Sequence, residues 1–189
     1  MLSTNYQLET LDAHDSDPDK LHQDIYQVQE NIRNMIDELR IICGNLRPPT
    51  IDSLGLNAAI QSFAQNWSKR FGVEIQLNLD PEIGRISEAI ELSIYRIVQE
   101  SLNNIYKHSS ATVARIILER TTPRALMLTI EDNGEGMDEG IALSNYSKTG
   151  HYGLVGIDER VKLLGGRLRI QNKGEGGLLI KAEIPHPKS

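Results

Sequence analysis

Apolar positions divide the chain into stretches of different period. From Leu21 they fall at Leu21, Ile25, Val28, Ile32, Met35, Leu39, Ile42 and Leu46, in steps that alternate four and three. An average step of 3.5 with polar flanks predicts a coiled coil or helical bundle rather than a helix lying on a globular core. Tyr6, Leu8 and Leu11 read as the tail of a preceding helix, closed by the polar turn Asp12-Ala-His-Asp-Ser-Asp-Pro-Asp19. Leu46-Arg-Pro-Pro49 must end the long helix, because proline lacks the amide donor and restricts its predecessor. A domain boundary is expected there, separating residues 1–49 from 50–189.

Beyond the prolines the periods mix. A helix is predicted over about Asp52 to Arg70, with Leu56, Ile60, Phe63 and Trp67 on one face and Gly72 at its end. Val73 to Leu79 alternates strictly, as a half-buried strand does. A long helix follows from about Ser87 to His108, then strands over Thr112 to Arg120 and Ala125 to Glu131, joined by a turn at Thr121-Thr-Pro-Arg124. After Asp132 the chain is glycine-rich to about Tyr152, and a connection of that length is expected to be a lid. A short helix (Leu154 to Leu164), a strand (Arg167 to Gln171), a hairpin around Asn172 to Gly177 and a last strand (Leu178 to Ile184) complete the pattern. Strands with helices segregated to one side give an α+β class, a two-layer sandwich preceded by part of a helical bundle.

Composition narrows the function. With 20 Lys and Arg against 26 Asp and Glu, the formal charge of -6 offers no attraction to polyanions, so nucleic acid is not expected as a partner. The single cysteine, Cys43, excludes an internal disulfide and a multi-thiolate zinc site. No stretch approaches the ~20 apolar residues of a membrane span and no signal pattern opens the chain, so a cytoplasmic location without direct membrane contact is expected.

Three clusters carry candidate chemistry. On the long helix Glu100, Asn104 and Lys107, spaced four and three, share one surface with His108 alongside. A solvated polar stripe explains most such clusters. The second cluster, Asp132-Asn-Gly-Glu-Gly-Met137, stands where an apolar strand ends. Its glycines permit a sharp turn and close approach to a flat ligand, although a plain turn has the same composition. The third is Gly150-His-Tyr-Gly-Leu-Val-Gly156, directly before a helix whose first amides could hold phosphate oxygens. It follows no strand and lacks Gly-Lys-Ser/Thr, so neither a Rossmann nor a Walker loop fits.

In this order the clusters resemble the N, G1 and G2 boxes of the ATPase superfamily that groups gyrase, the heat-shock chaperone, MutL and histidine kinases, with its Bergerat ATP-binding fold. Arg96-Ile-Val-Gln-Glu-Ser-Leu-Asn-Asn-Ile-Tyr-Lys-His108, Leu46-Arg-Pro-Pro49 with the Leu54-Gly-Leu56 after it, and Gly153 to Gly166 are similar to the nitrate-sensor and fluidity-sensor subfamily of two-component sensor kinases. The resemblance implies an ATP-dependent histidine kinase. Asn104 would coordinate Mg²⁺, Lys107 and His108 would contact phosphate, and Glu100 would polarise the attacking group. Asp132 would accept from the exocyclic amine of adenine, Gly134 and Gly136 would admit the ring, and Met137, Gly153, Leu154 and Gly156 would line the nucleotide. Guanine presents an oxygen where adenine presents that amine, so ATP would be preferred over GTP. Implied partners are a response-regulator receiver domain and a second copy of the parent, joined through the bundle.

Two departures stand against the family pattern. Leu178 occupies the position where a threonine usually follows the late glycine pair, which predicts weaker ATP binding. The family's phosphoacceptor histidine lies on the first bundle helix, whereas His14-Asp15 falls in the polar turn, so the acceptor is expected outside this chain. His22 and His186 read as surface residues, and His151 as an exposed loop histidine or a phosphate contact from the lid. Two alternatives stay open: an ATP hydrolase or anti-sigma-like serine kinase, and a non-catalytic dimerisation or docking module.

Overall fold

The structure, a computed structural model, describes residues 48–137, 152–174 and 176–186. Pro48–Ser189 forms one compact unit that contains all of them. The heptad helix, Cys43, His14, His22, Gly150, His151 and the lid expected beyond Met137 lie outside the described residues.

Helix α1 (Pro49–Leu54) is followed at once by α2 (Leu56–Phe71), where the apolar spacing predicts a single helix from about Asp52. Gly55 divides them: at φ 84° and ψ 174° it occupies backbone space that side chains disfavour, and no α-helix runs through it. Gly72, at φ 73°, closes α2 with its N–H on the Ser68 carbonyl, as its place in the sequence predicts.

Strand β1 (Glu74–Leu79) leads through a short 3-10 turn (Pro81–Ile83) into α3 (Glu88–His108). Glu88 and Glu91 in the first turn of α3, and Lys107 and His108 in the last, complement the helix dipole. Strands β2 (Val113–Thr122) and β3 (Ala125–Asp132) form a hairpin in which Thr122 pairs with Ala125. The turn is therefore Pro123-Arg124 alone, shorter than the four residues expected. Helix α4 (Tyr152–Leu163), β4 (Arg167–Asn172) and β5 (Leu178–Pro185) follow.

Among the described residues five strands run in the order β1-β2-β3-β5-β4. Only β1 and β2 are parallel, because the connection between them carries α3 across the sheet. One face of the sheet holds the rows Ile116-Ile130-Ile180 and Leu118-Leu128-Ala182, all buried. Ile90, Ile94, Ile97, Val98, Leu102 and Ile105 of α3, with Leu154, Ile157 and Val161 of α4, belong to the same core. The opposite face carries Arg115, which reaches Gln76 and Glu131 at 3.1–3.2 Å. This is the expected α+β two-layer sandwich.

Pairing also corrects one histidine. The His186 N–H donates to the Arg124 carbonyl at 2.7 Å, extending the β3–β5 pairing past Pro185, and the residue is buried rather than on the surface.

Candidate functional site

The two-residue rows of the sheet determine where Asp132 points. It pairs with Ala114 at the end of β3, on the same side as Ile130, so its carboxyl turns toward the helices and is 3% exposed. One carboxylate oxygen accepts the Gly134 N–H at 2.8 Å, and the Leu178 N–H also bonds the group. Burial pushes the Asp132 carboxyl above the usual carboxylate range, while those two N–H groups and the charge of Lys173 pull it back down. The contact from Leu178 is made by its main chain, so the missing threonine removes a side-chain hydroxyl and leaves this bond intact.

The turn after Asp132 is fastened to the end of α3. Asn133 accepts the Thr112 and Val113 N–H groups, each at 3.0 Å, and its own amide donates to the Thr112 hydroxyl at 2.9 Å. The Glu135 N–H donates to the carbonyl of Ser109, the residue that caps α3, at 2.8 Å. A Cβ on Gly134 would overlap that same Ser109 carbonyl. Gly134 is thus required by close packing of its own chain, where the sequence suggested room for a ligand ring. Gly136, at φ 78°, is less crowded, a Cβ there standing 2.9 Å from the Asn172 side chain and 3.3 Å from the Gly177 carbonyl.

The third cluster reaches α3 one and two turns earlier. Gly153 lies within the first turn of α4, which begins two residues before the predicted start. A Cβ there would overlap Glu100 Oε1 and stand 2.9 Å and 3.0 Å from the two polar atoms of the Asn104 amide. Asn104 Nδ2 is buried and has no hydrogen-bond partner among the described residues. A Gly153→Ala side chain must push Glu100 and Asn104 aside, which offsets the about 1 kcal/mol by which alanine favours a helix over glycine, so thermal unfolding should show no gain in melting temperature.

The structure thus gathers Glu100, Asn104 and Gly153, and docks the Asp132–Gly136 turn on the C-cap of the same helix. Ser109 lies five positions after Asn104, a rise of about 7.5 Å along a helix. Lys107 and His108 are exposed on the intervening turn. Leu154 is buried in the core, so its side chain packs the α3–α4 layer. Gly156 stands in the second turn of α4, where its carbonyl accepts from Arg160 at 2.8 Å. Sequence reasoning missed Ser109, Asn133, Asn172 and Lys173, although an asparagine at a strand's end is a familiar turn former that bonds nearby main chain.

Comparison with known proteins agrees with this arrangement. The family described as histidine kinase-, DNA gyrase B-, and HSP90-like ATPase matches residues 89–188. The signal transduction histidine-protein kinase/phosphatase DegS of Brevibacillus brevis is 30% identical over 172 residues, 91% of this chain and 43% of that protein. The oxygen sensor histidine kinase NreB of Staphylococcus carnosus (strain TM300) is 28% identical over 169 residues, 89% of this chain and 47% of that protein. The chain spans less than half the length of either relative. Among solved structures, the histidine kinase domain of the blue-light activated kinase EL346 from Erythrobacter litoralis superposes with a TM-score of 0.63 at 16% identity, covering 97% of this chain and 93% of that one. The catalytic domain of histidine kinase ThkA gives 0.57 at 18% identity, covering 69% and 92%. These two likenesses are of fold.

Proposed function

The chain belongs to the histidine kinase-, DNA gyrase B- and HSP90-like ATPase family, and from that premise we propose that it is the ATP-binding catalytic part of a two-component sensor histidine kinase. It transfers the γ-phosphoryl group of ATP to a histidine for relay to a response-regulator receiver domain. The observation that carries this reading is the convergence of all three clusters on the C-terminal half of α3: Gly153 against Glu100 and Asn104, and the Asp132 turn against Ser109.

Asp132 reads the base. A buried carboxylate on that turn accepts from the exocyclic amine of adenine and has nothing to accept from guanine at that position. Farther up α3, Asn104 and Glu100 offer an amide oxygen and a carboxylate. Hard oxygen donors of this kind, few in number, suit a Mg²⁺ that arrives with the triphosphate. The buried Asn104 amide nitrogen, a donor with no partner among the described residues, suits a phosphate oxygen, with the side-chain oxygen left for the ion. Mg²⁺, when bound, supplies neutralisation of phosphate charge. Lys107 and His108 hold phosphate oxygens, and Glu100 polarises the accepting group, so that positioning and electrostatics provide the catalysis.

In this reading neither His108, which shares the phosphate-contacting end of α3, nor the buried His186 is the accepting histidine. The parent acts as a cytoplasmic homodimer held by a helical bundle. Incubating the chain with γ-labelled ATP and a separately supplied helix bearing the family histidine is expected to label that helix with acid-labile phosphate. Acid-stable label would indicate a serine kinase, and release of free phosphate alone would indicate a hydrolase.

A further inference from the structure

The turn between β4 and β5 touches the Asp132 turn at several points that the proposed chemistry does not use. Asn172, the last residue of β4, accepts the Met137 N–H at 2.8 Å and donates its amide to the Met137 carbonyl at 2.6 Å. One side chain therefore holds both polar groups of one main-chain residue, 35 positions away, as a neighbouring strand would. Gly136 packs directly against the same amide, with a built Cβ 2.9 Å from Asn172 Oδ1. Two further contacts join these turns: Gly177 lies so close to the Asp132 carbonyl that a Cβ there would overlap it, and Lys173 Nζ donates to that carbonyl at 3.3 Å.

Gly136 is free to sample many backbone conformations, and Asp132 reaches its ligand only if the turn holds one of them. Two fixed ends restrict the turn: Asn133 and Glu135 are tied to the start of β2 and the end of α3, and Met137 is tied to Asn172. We infer that Asn172 is a positioning residue for the base-binding side of the site, acting through Met137 and Gly136 on the Asp132 turn. This rests on the reading of Asp132 as the adenine acceptor. Asn172 touches no phosphate-side residue among its described contacts, so its influence falls on the base and not on the triphosphate.

That asymmetry supplies the test. In Asn172→Asp the side-chain volume is kept, but the donor to the Met137 carbonyl becomes a charged acceptor facing it. In Asn172→Ala both bonds are removed. Calorimetric titrations with ATP, ADP and inorganic tripolyphosphate, all with Mg²⁺, are compared with the unaltered chain. Loss of two ordering hydrogen bonds should weaken ATP and ADP about tenfold, leaving tripolyphosphate affinity and the fraction of binding-competent protein unchanged. A merely structural role would reduce that fraction, or weaken all three ligands alike, and either result overturns the inference. Unaltered ATP affinity in both variants also overturns it while leaving the function intact. An unaltered chain that binds no nucleotide overturns both.

Discussion

Replacing Asp132 by asparagine is expected to abolish measurable ATP binding, a loss of roughly 100-fold or more, while the chain stays folded. The carboxylate is enclosed at the end of β3, and asparagine keeps its shape but substitutes a donor for one acceptor oxygen. Facing the amine of adenine, that donor removes a charge-assisted bond and leaves buried groups unpaired. A calorimetric titration decides it, and affinity within threefold of the unaltered chain would contradict the assignment. The same variant carries a signature in stability. Burial holds Asp132 above the ordinary carboxylate range in the folded chain, so the folded state takes up a proton more readily than the unfolded chain does. The associated stability is present below the ordinary carboxylate value and is lost as pH rises through the raised one. The melting temperature of Asp132→Asn relative to the unaltered chain should therefore climb as pH rises through the raised carboxylate value. A flat or falling difference would mean that the buried charge costs nothing.

Asn104→Asp is the second large effect, expected to lower phosphoryl transfer by roughly 100-fold or more. The substitution conserves volume and places a second carboxylate one turn from Glu100, on the surface proposed to receive the triphosphate. Like charges at this spacing repel each other and repel phosphate. Because Asn104 also abuts Gly153, the change disturbs the α3–α4 contact that frames the site. Single-turnover transfer to the supplied helix measures the effect, and a rate within threefold of the unaltered chain would remove Asn104 from the machinery. Asp132 ends β3, on the turn docked at the C-cap of α3, whereas Asn104 stands farther up that helix, so on the proposed reading Asp132→Asn and Asn104→Asp should fail differently: the first in binding, the second chiefly in transfer.

Much of this was legible because period-2 and period-3.6 patterns speak directly of faces. Val73 to Leu79 and Ala125 to Asp132 became strands, and the apolar face of α3 became the core, as alternation and helical spacing predict. Asn104 and Asp132 were found by residue type and placement, one on a helix face and the other at a strand's end. The break at Gly55 was hidden, because Ile51, Leu56 and Ile60 keep a helix-like spacing across a residue whose backbone leaves the helix. Burial of His186 depends on the register of β5 against β3, which no local pattern states. Ser109 and Asn172 were missed for a related reason: each acts on main chain more than twenty residues away, and only the folded sheet brings the partners together. The glycines were noticed correctly and interpreted too narrowly. Gly134 and Gly177 are small because strands and helix ends crowd them, which fixes the turn that presents Asp132.

The most direct measurement is a pair of calorimetric titrations of the unaltered chain, with ATP and with GTP, in Mg²⁺-containing buffer. Saturable binding of ATP with GTP at least 100-fold weaker is the expected result, since at the 6-position adenine offers a donor to the buried carboxylate and guanine an oxygen. Equal binding of the two nucleotides, or no binding of either, would contradict it.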